Sequence, residues 1–322
     1  MKQQLKIYYT SDVHGYLFPT NYADTQEKDM GLLKCIPNFK KDENTLIIDG
    51  GDMLQGSALA TYCQDHPEEG FPQAKVLNHA GYDFVTLGNH DVNYGTSYLS
   101  KYLESLDAAC VCENLLDKSS NTKKFPWIIK TLGNGLKVGI VGIVTDYINV
   151  WEKAENIKDI MITNPFIAAK KALDEVKPQV DLTICIYHGG FERDVRSGKL
   201  LSKTSENIGY KICEELDFDL LLTGHQHLLI EGQLLHGTYI VQPSSNALNY
   251  FEIDIEKVQN NIEITSTVGK PTSTPDTELT SQLRPLEMNV QNWLDQAIGT
   301  LNSDALAEEK LEMALNGSQL WP

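Results

Sequence analysis

The sequence predicts a layered α/β domain, and three observations carry that reading. Short apolar runs rich in strand-formers recur along the 322 residues: Leu5 to Thr10, Thr45 to Asp49, Phe84 to Leu87, Asp181 to Tyr187 and Leu220 to Thr223. Stretches with the helical spacing of apolar residues lie between them, as strand–helix–strand crossings require. Each run also stops at residues able to bind a metal or carry a proton, which is how an open α/β sheet presents a site past the carboxyl ends of its strands.

In chain order, Leu5 to Thr10 is the first strand and residues 31–41 a helix. Thr45 to Asp49 follows as the second strand, ending in Gly50-Gly51-Asp52. Residues 57–70, around His66-Pro67, read as a polar loop, and Ala74 to Ala80 as a helix. After the strand Phe84 to Leu87, residues 96–106 place Leu99, Tyr102, Leu103 and Leu106 on one helical face. Trp127 to Leu132 and Lys137 to Val144 flank Asn134-Gly135, which predicts a β-hairpin. Pro165 to Lys177 is a helix with proline in its first turn. Helix 205–216 then precedes the strand Leu220 to Thr223, and four alternating segments (228–235, 238–243, 249–255 and 262–267) are expected to close the domain as one antiparallel sheet. Residues 1–269 thus form the expected catalytic unit. Lys270 to Asp276, rich in Pro, Ser and Thr, reads as a linker into a helix near 278–297, and 302–322 has helical character.

Composition narrows the function. An apolar content of 41% and a charged content of 22% are those of a globular protein. The net charge of −17 disfavours nucleic-acid polymers and anionic membranes as partners. Such a chain needs local positive charge to handle small phosphates, and metal ions supply it. The six cysteines are scattered with no C-x-x-C, as expected of buried thiols. No segment reaches the ~20 apolar residues of a membrane span. Met1 to Gln4 runs straight into a strand with no signal peptide, so a cytoplasmic protein is expected unless a leader has been removed, and a monomer is expected.

The strand ends hold the chemistry. They supply Asp12 and His14, Asp52, the run Asn89-His90-Asp91, His188, and the pair His225 and His227. A lone D-x-H is most often a capping Asp beside a surface His, a lone G-N-H-D is an ordinary turn as often as not, and His66, His79 and His236 fit surface, helix-end and turn roles. Five such loops in one chain are a site. Carboxylate, amide and imidazole donors together suit two divalent cations held ~3.5–4 Å apart for phosphoryl transfer. Asp52 is the natural bridge.

Asp12-Val13-His14, Gly51-Asp52, Gly88-Asn89-His90-Asp91, His188 and Gly224-His225-Gln226-His227, in this order, resemble the motifs of the calcineurin-like metallophosphoesterases. The resemblance covers about residues 5–267. Gly51 to Ser57 and Asn89 to Gly95 look like the branch of 5′-nucleotidases and 2′,3′-cyclic-nucleotide phosphodiesterases. It implies a four-layer α/β/β/α sandwich. It also implies that Asp12, His14, Asp52 and His227 hold one ion and Asp52, Asn89, His188 and His225 the other, with His90 as acid or charge stabiliser. The donors suit Mn, Zn or Fe, with Mg fitting least well. The implied substrate is a small nucleotide or cyclic nucleotide.

Two features depart from the family pattern. Its nucleotidases place an orienting aspartate three residues after the catalytic histidine. This chain has Asn93 there, closer to the cyclic phosphodiesterases, so Asn93 and Asp91 join His90 as catalytic candidates. Residues 270–322 match only a connecting helix and the start of the family's nucleoside-gripping C-terminal domain.

Overall fold

The computed structural model describes residues 2–297 except Thr25 and Asn260. Its strands are β1 (Lys2–Thr10), β2 (Thr45–Asp49), β3 (Phe84–Val85), β4 (Ala109–Cys110), β5 (Cys112–Asp117), β6 (Thr122–Phe125), β7 (Ile128–Thr131) and β8 (Lys137–Val144). They continue as β9 (Ile160–Ile162), β10 (Leu182–His188), β11 (Leu220–Thr223), β12 (Ile230–Leu235), β13 (Thr238–Gln242), β14 (Tyr250–Val258) and β15 (Asn261–Gly269). The helices are α1 (Leu32–Cys35), α2 (Ala58–Asp65), α3 (Pro72–Ala80), α4 (Thr96–Glu104), α5 (Ile148–Trp151), α6 (Pro165–Val176), α7 (Gly209–Glu215) and α8 (Thr277–Leu294).

Two six-stranded sheets, ordered β15-β14-β1-β2-β3-β4 and β12-β13-β11-β10-β8-β7, form the middle of the molecule. Their strands alternate which face is filled. Ile7, Tyr9, Leu46 and Ile48 from the first sheet meet Ile140, Ile184, Ile186, Leu220 and Leu222 from the second in one buried cluster. The intervening residues Tyr8, Ile47 and Val85 face a cluster built with α1 to α4. Val141, Cys185, Tyr187 and Leu221 face α6 and α7. These three cores make the four α/β/β/α layers that the family resemblance implied.

Parallel pairing of β1 with β2, β2 with β3, and β8, β10 and β11 with one another sends their carboxyl ends to one edge of the sandwich. The loops that carry the candidate residues all emerge there. The hairpin expected around Asn134-Gly135 forms, with β7 and β8 antiparallel.

The structure departs from the sequence expectations in several places. The closing strands do not make one sheet. β12 and β13 extend the second sheet, and β13 lies parallel to β11, whereas β14 pairs with β1 and β15 in the first. Alternation identified them as strands but carries no information on which sheet each edge meets. Residues 58–65 are helical rather than loop, because Ser57 accepts from the Ala60 N–H as a cap and Leu59, Ala60 and Cys63 bury. The helix expected over 31–41 stops at Cys35 and tightens into one 3₁₀ turn over Ile36–Asn38, where Pro37 ends α-helical bonding. The small sheet β6-β5-β9 was not foreseen.

Helix α8 is capped by the Asp276 carboxylate, which accepts from the Leu279 N–H at 2.7 Å. It buries Leu279, Leu283, Leu286 and Val290 in the same cluster as α2 and α3. The helical character expected for 302–322 lies outside the described residues.

Candidate metal centre

Backbone geometry at the strand ends assembles the site. Asp12, His14, Asp52, His225 and His227 all have φ between 53° and 71°, in the left-handed region where non-glycine residues are uncommon. Each turns the chain back sharply, so consecutive polar side chains converge instead of alternating. The loops after β2 and β3 are in contact. A Cβ on Gly51 would sit 2.4 Å from the Gly88 nitrogen, and one on Gly88 would sit 2.0 Å from Asp52 Oδ1. Only glycine at both positions allows this approach.

Two donor clusters result. Asp12, His14 and His227 form one, and Asp52, His188 and His225 the other. Within each, the donor atoms lie within 4.8 Å of one another. His14 Nε2 and His227 Nε2 face each other at 2.9 Å, and His227 Nε2 lies 3.4 Å from Asp12 Oδ1. Asp52 Oδ2 lies 3.2 Å from His188 Nε2 and 3.9 Å from His14 Nε2, so it stands between the clusters. All the sequence candidates except Asn93 and Asp91 meet here or border the clusters. Asn89 is buried on the same loop, and the His90 ring centroid is 5.5 Å from that of His14.

Asp91 turns the other way. Its oxygens accept from four backbone N–H groups, those of Asp52, Met53, Leu54 and Gly88, at 2.8–3.0 Å. The carboxylate thus braces the two glycine-rich loops from behind. Asn93 lies beside His90, with its Oδ1 2.7 Å from His90 Nδ1.

The imidazoles are pre-oriented. His188 Nδ1 donates to the Gly50 carbonyl at 2.7 Å and His14 Nδ1 to that of Gln55 at 2.7 Å, leaving each Nε2 free to ligate. His225 Nε2 pairs with Glu206 Oε1 at 2.9 Å, and the Trp151 ring stacks on His225 with centroids 5.5 Å apart. Neither Glu206 nor Trp151 was foreseen, because Glu206 reaches the site from a loop and Trp151 from the end of α5, and neither segment carries a motif of its own.

Electrostatics follow from this crowding. Burial would push His188 down, but Asp52 and then Asp12 outweigh it and raise its pKa to about 10. Burial would raise Asp52, yet the charge and contact of His188, then His90 and His14, hold it well below the carboxylate range. Burial and repulsion from His188 lower His225, whereas contact with Asp12 raises His227. Asp91 is raised by burial and by Asp52, against its N–H donors.

The donor set fits divalent cations. Asp52 Oδ2, Asn89 Oδ1 and His188 Nε2 are buried, and none has a hydrogen-bond partner among the described residues. Three buried polar atoms without hydrogen bonds at one place would be costly without a ligand to receive them. His188 Nε2 and Asp52 Oδ2 approach one another without the alignment of a hydrogen bond, as two ligands of one ion do.

Relatives share this arrangement of chain. The sequence is 26% identical to the trifunctional nucleotide phosphoesterase protein YfkN of Bacillus subtilis, over 93% of this chain and 23% of that protein. It is 25% identical to a 2′,3′-cyclic-nucleotide 2′-phosphodiesterase/3′-nucleotidase of Haemophilus influenzae, over 92% of this chain and 51% of that protein. The chain therefore spans about half or less of the length of these relatives. A solved structure of a candidate 5′-nucleotidase from Staphylococcus aureus is 30% identical, with a TM-score of 0.84 over 93% of this chain and 60% of that one. Residues 5–229, which hold every loop of the centre, match the calcineurin-like phosphoesterase family. By that match the chain belongs to the calcineurin-like phosphoesterases.

Proposed function

We propose that this chain is a metal-dependent phosphoric ester hydrolase acting on small nucleotides, with 2′,3′-cyclic diesters ahead of monoesters. The observation that carries the reading is the trio of buried, unpartnered donors on Asp52, Asn89 and His188 in this fold. Asp12, His14 and His227 would hold one divalent ion and Asn89, His188 and His225 the other, with Asp52 shared. Mn, Zn or Fe suits these nitrogen and oxygen donors best. When bound, such a pair supplies a strong nucleophile at neutral pH and positive charge to offset that of the phosphoryl group.

The chain's own residues do the rest. His90 belongs to neither cluster, is part-buried and has its Nδ1 held by Asn93, so its Nε2 is the nitrogen left to carry a proton to the leaving oxygen. His14 and His188 present Nε2 because their Nδ1 atoms are tied to backbone carbonyls. Preference for cyclic diesters rests on Asn93, an amide where nucleotidases of the family place a carboxylate. Among the described residues no helix is long and apolar enough to cross a membrane. We propose a monomer acting in the cytoplasm.

The test is a substrate panel on protein loaded separately with Mn, Zn, Fe and Mg: an aryl phosphodiester, 2′,3′-cyclic nucleotides, 3′- and 5′-monophosphates and nucleoside-diphosphate sugars. Metal-dependent cleavage of the aryl diester and weak, base-indifferent cleavage of cyclic nucleotides are expected. A chain that binds two ions yet turns over no ester would overturn the reading in favour of a metal-bound regulatory module. Dominant activity on nucleoside-diphosphate sugars would replace the substrate class.

A further inference from the structure

The contacts of Asn93 extend to a residue with no assigned part in the chemistry. Its Nδ2 donates to Glu152 Oε2, while its Oδ1 faces His90 Nδ1 at 2.7 Å. Glu152 immediately follows α5 as its C-terminal cap and is itself held. Its Oε1 accepts from Asn156 Nδ2 at 2.9 Å and from the Lys153 N–H at 2.7 Å. Asn156 Nδ2 also donates to the Asn93 carbonyl at 2.7 Å, tying the segment to the loop that carries His90.

An amide has a direction that a carboxylate lacks. Asn93 can face His90 with either its oxygen or its NH₂ group, and only the first orientation accepts the Nδ1 proton. Glu152 accepts hydrogen bonds only, so Asn93 must turn Nδ2 towards it and Oδ1 towards His90. The proton on His90 then sits on Nδ1, and Nε2 is left for the reacting centre.

We propose that Glu152 is a positioning residue for the hydrolysis suggested above: by fixing the direction of the Asn93 amide, it fixes the tautomer and orientation of His90. The same segment carries Trp151, stacked on His225 and edge-on to Tyr147 at 5.3 Å. Residues 147–156 therefore hold the His90 side and the His225 side of the centre together. The inference rests on the hydrolase reading for its kinetic consequence, but its structural core stands apart from turnover.

Two measurements on the full chain test it. The first is the tautomer of His90, read from long-range ¹H–¹⁵N couplings of ¹⁵N-histidine-labelled, metal-free protein in alkaline buffer, with His90→Ala assigning the signal. The native chain should show the Nδ1–H form, and Glu152→Gln, whose amide can donate as well as accept, should shift it to a mixture. An unchanged tautomer overturns the proposal whether or not any ester is hydrolysed.

The second measurement is a double-mutant cycle with Asn93→Asp on metal-loaded protein. In the native background, Glu152→Gln should lower kcat ~10-fold on a cyclic nucleotide, with KM nearly unchanged, the scale on which an outer partner of a site residue acts. The loss should be small on an aryl diester, whose leaving group needs little protonation. In the Asn93→Asp background the carboxylate needs no director, and Glu152→Gln also removes a like-charge neighbour. There the same substitution should be neutral or raise kcat. Equal losses in both backgrounds, or on both esters, would reduce Glu152 to a structural contact. Native protein inactive on both esters would sink the hydrolase reading and the kinetic half of this proposal, leaving the tautomer to decide the rest.

Discussion

Asp52 Oδ2 lies 3.2 Å from His188 Nε2, both atoms are buried, and each lacks a hydrogen-bond partner among the described residues. The two residues come from different sheets, Asp52 from the loop after β2 and His188 from the end of β10. A shared cation is the simplest occupant of the gap. Asp52→Asn should therefore deplete both ions, because a neutral amide leaves their mutual repulsion unscreened. His14→Ala should deplete one. Elemental analysis checks both, and two ions retained per chain in Asp52→Asn would refute the bridge.

Catalysis and metal binding should separate at His90. Its backbone N–H donates to Asp52 Oδ1 at 2.7 Å, but its ring is committed to Asn93. His90→Ala keeps the backbone contact, so both ions should remain while turnover falls on the order of 10²-fold or more. Metal loss in step with activity would make His90 a ligand.

Metal uptake should release protons at neutral pH. His188 in the metal-free protein is raised to about 10, so it is charged there and must lose its proton to ligate. Calorimetry in buffers of different ionisation enthalpy reads the release, and a binding heat indifferent to buffer would contradict it. The same shift sets a stability profile. A raised histidine contributes fully below its ordinary pKa of ~6.5, and that contribution is lost as pH rises through about 10. Buried Asp49, raised to about 8, adds an earlier loss that runs from the ordinary carboxylate range up to about pH 8. Asp52 has the opposite sign, its contribution vanishing as pH falls below the carboxylate range. Metal-free protein should thus lose melting temperature towards high pH, and loaded protein should lose less.

Asp91 should matter to the fold before it matters to the reaction. Asp91→Asn replaces one acceptor oxygen with an NH₂ group and strands two of the four backbone N–H donors. The expected cost is about 3 kcal/mol in the metal-free chain. Denaturant unfolding of metal-free protein measures it. Full stability with lost turnover would return Asp91 to the chemistry.

Much of this was legible in the sequence because strand and site announce themselves together. An apolar run such as Leu220 to Thr223 must be buried, and His225 and His227 just beyond it have no packing reason to be there. The four layers came through the family motifs. What stayed hidden was non-local. Nothing in 228–267 says that β13 pairs in parallel with β11 while β14 crosses to β1. Helix α2 was concealed because its buried face is only Leu59, Ala60 and Cys63 amid polar residues. Glu206, Trp151 and Glu152 act by contact across 19 to 74 residues of chain, a separation that no local pattern encodes.

The left-handed backbone at Asp12, His14, Asp52, His225 and His227 means that the chain is least relaxed where it is most useful. Each such residue gives up roughly 1–2 kcal/mol against ordinary conformations, less for Asp, whose short side chain can bond locally. Glycine at 225 or 227 would relieve that strain and abolish a donor in the same stroke. Selection for stability alone would erode these positions first, so a descendant freed from the reaction should drift here before its core changes. The turns are also set by loop contacts that need no ion. Backbone bonds between loops, from the Asp12 N–H to the Gly51 carbonyl and from the His14 N–H to that of Asp52, therefore share in bringing the donors together.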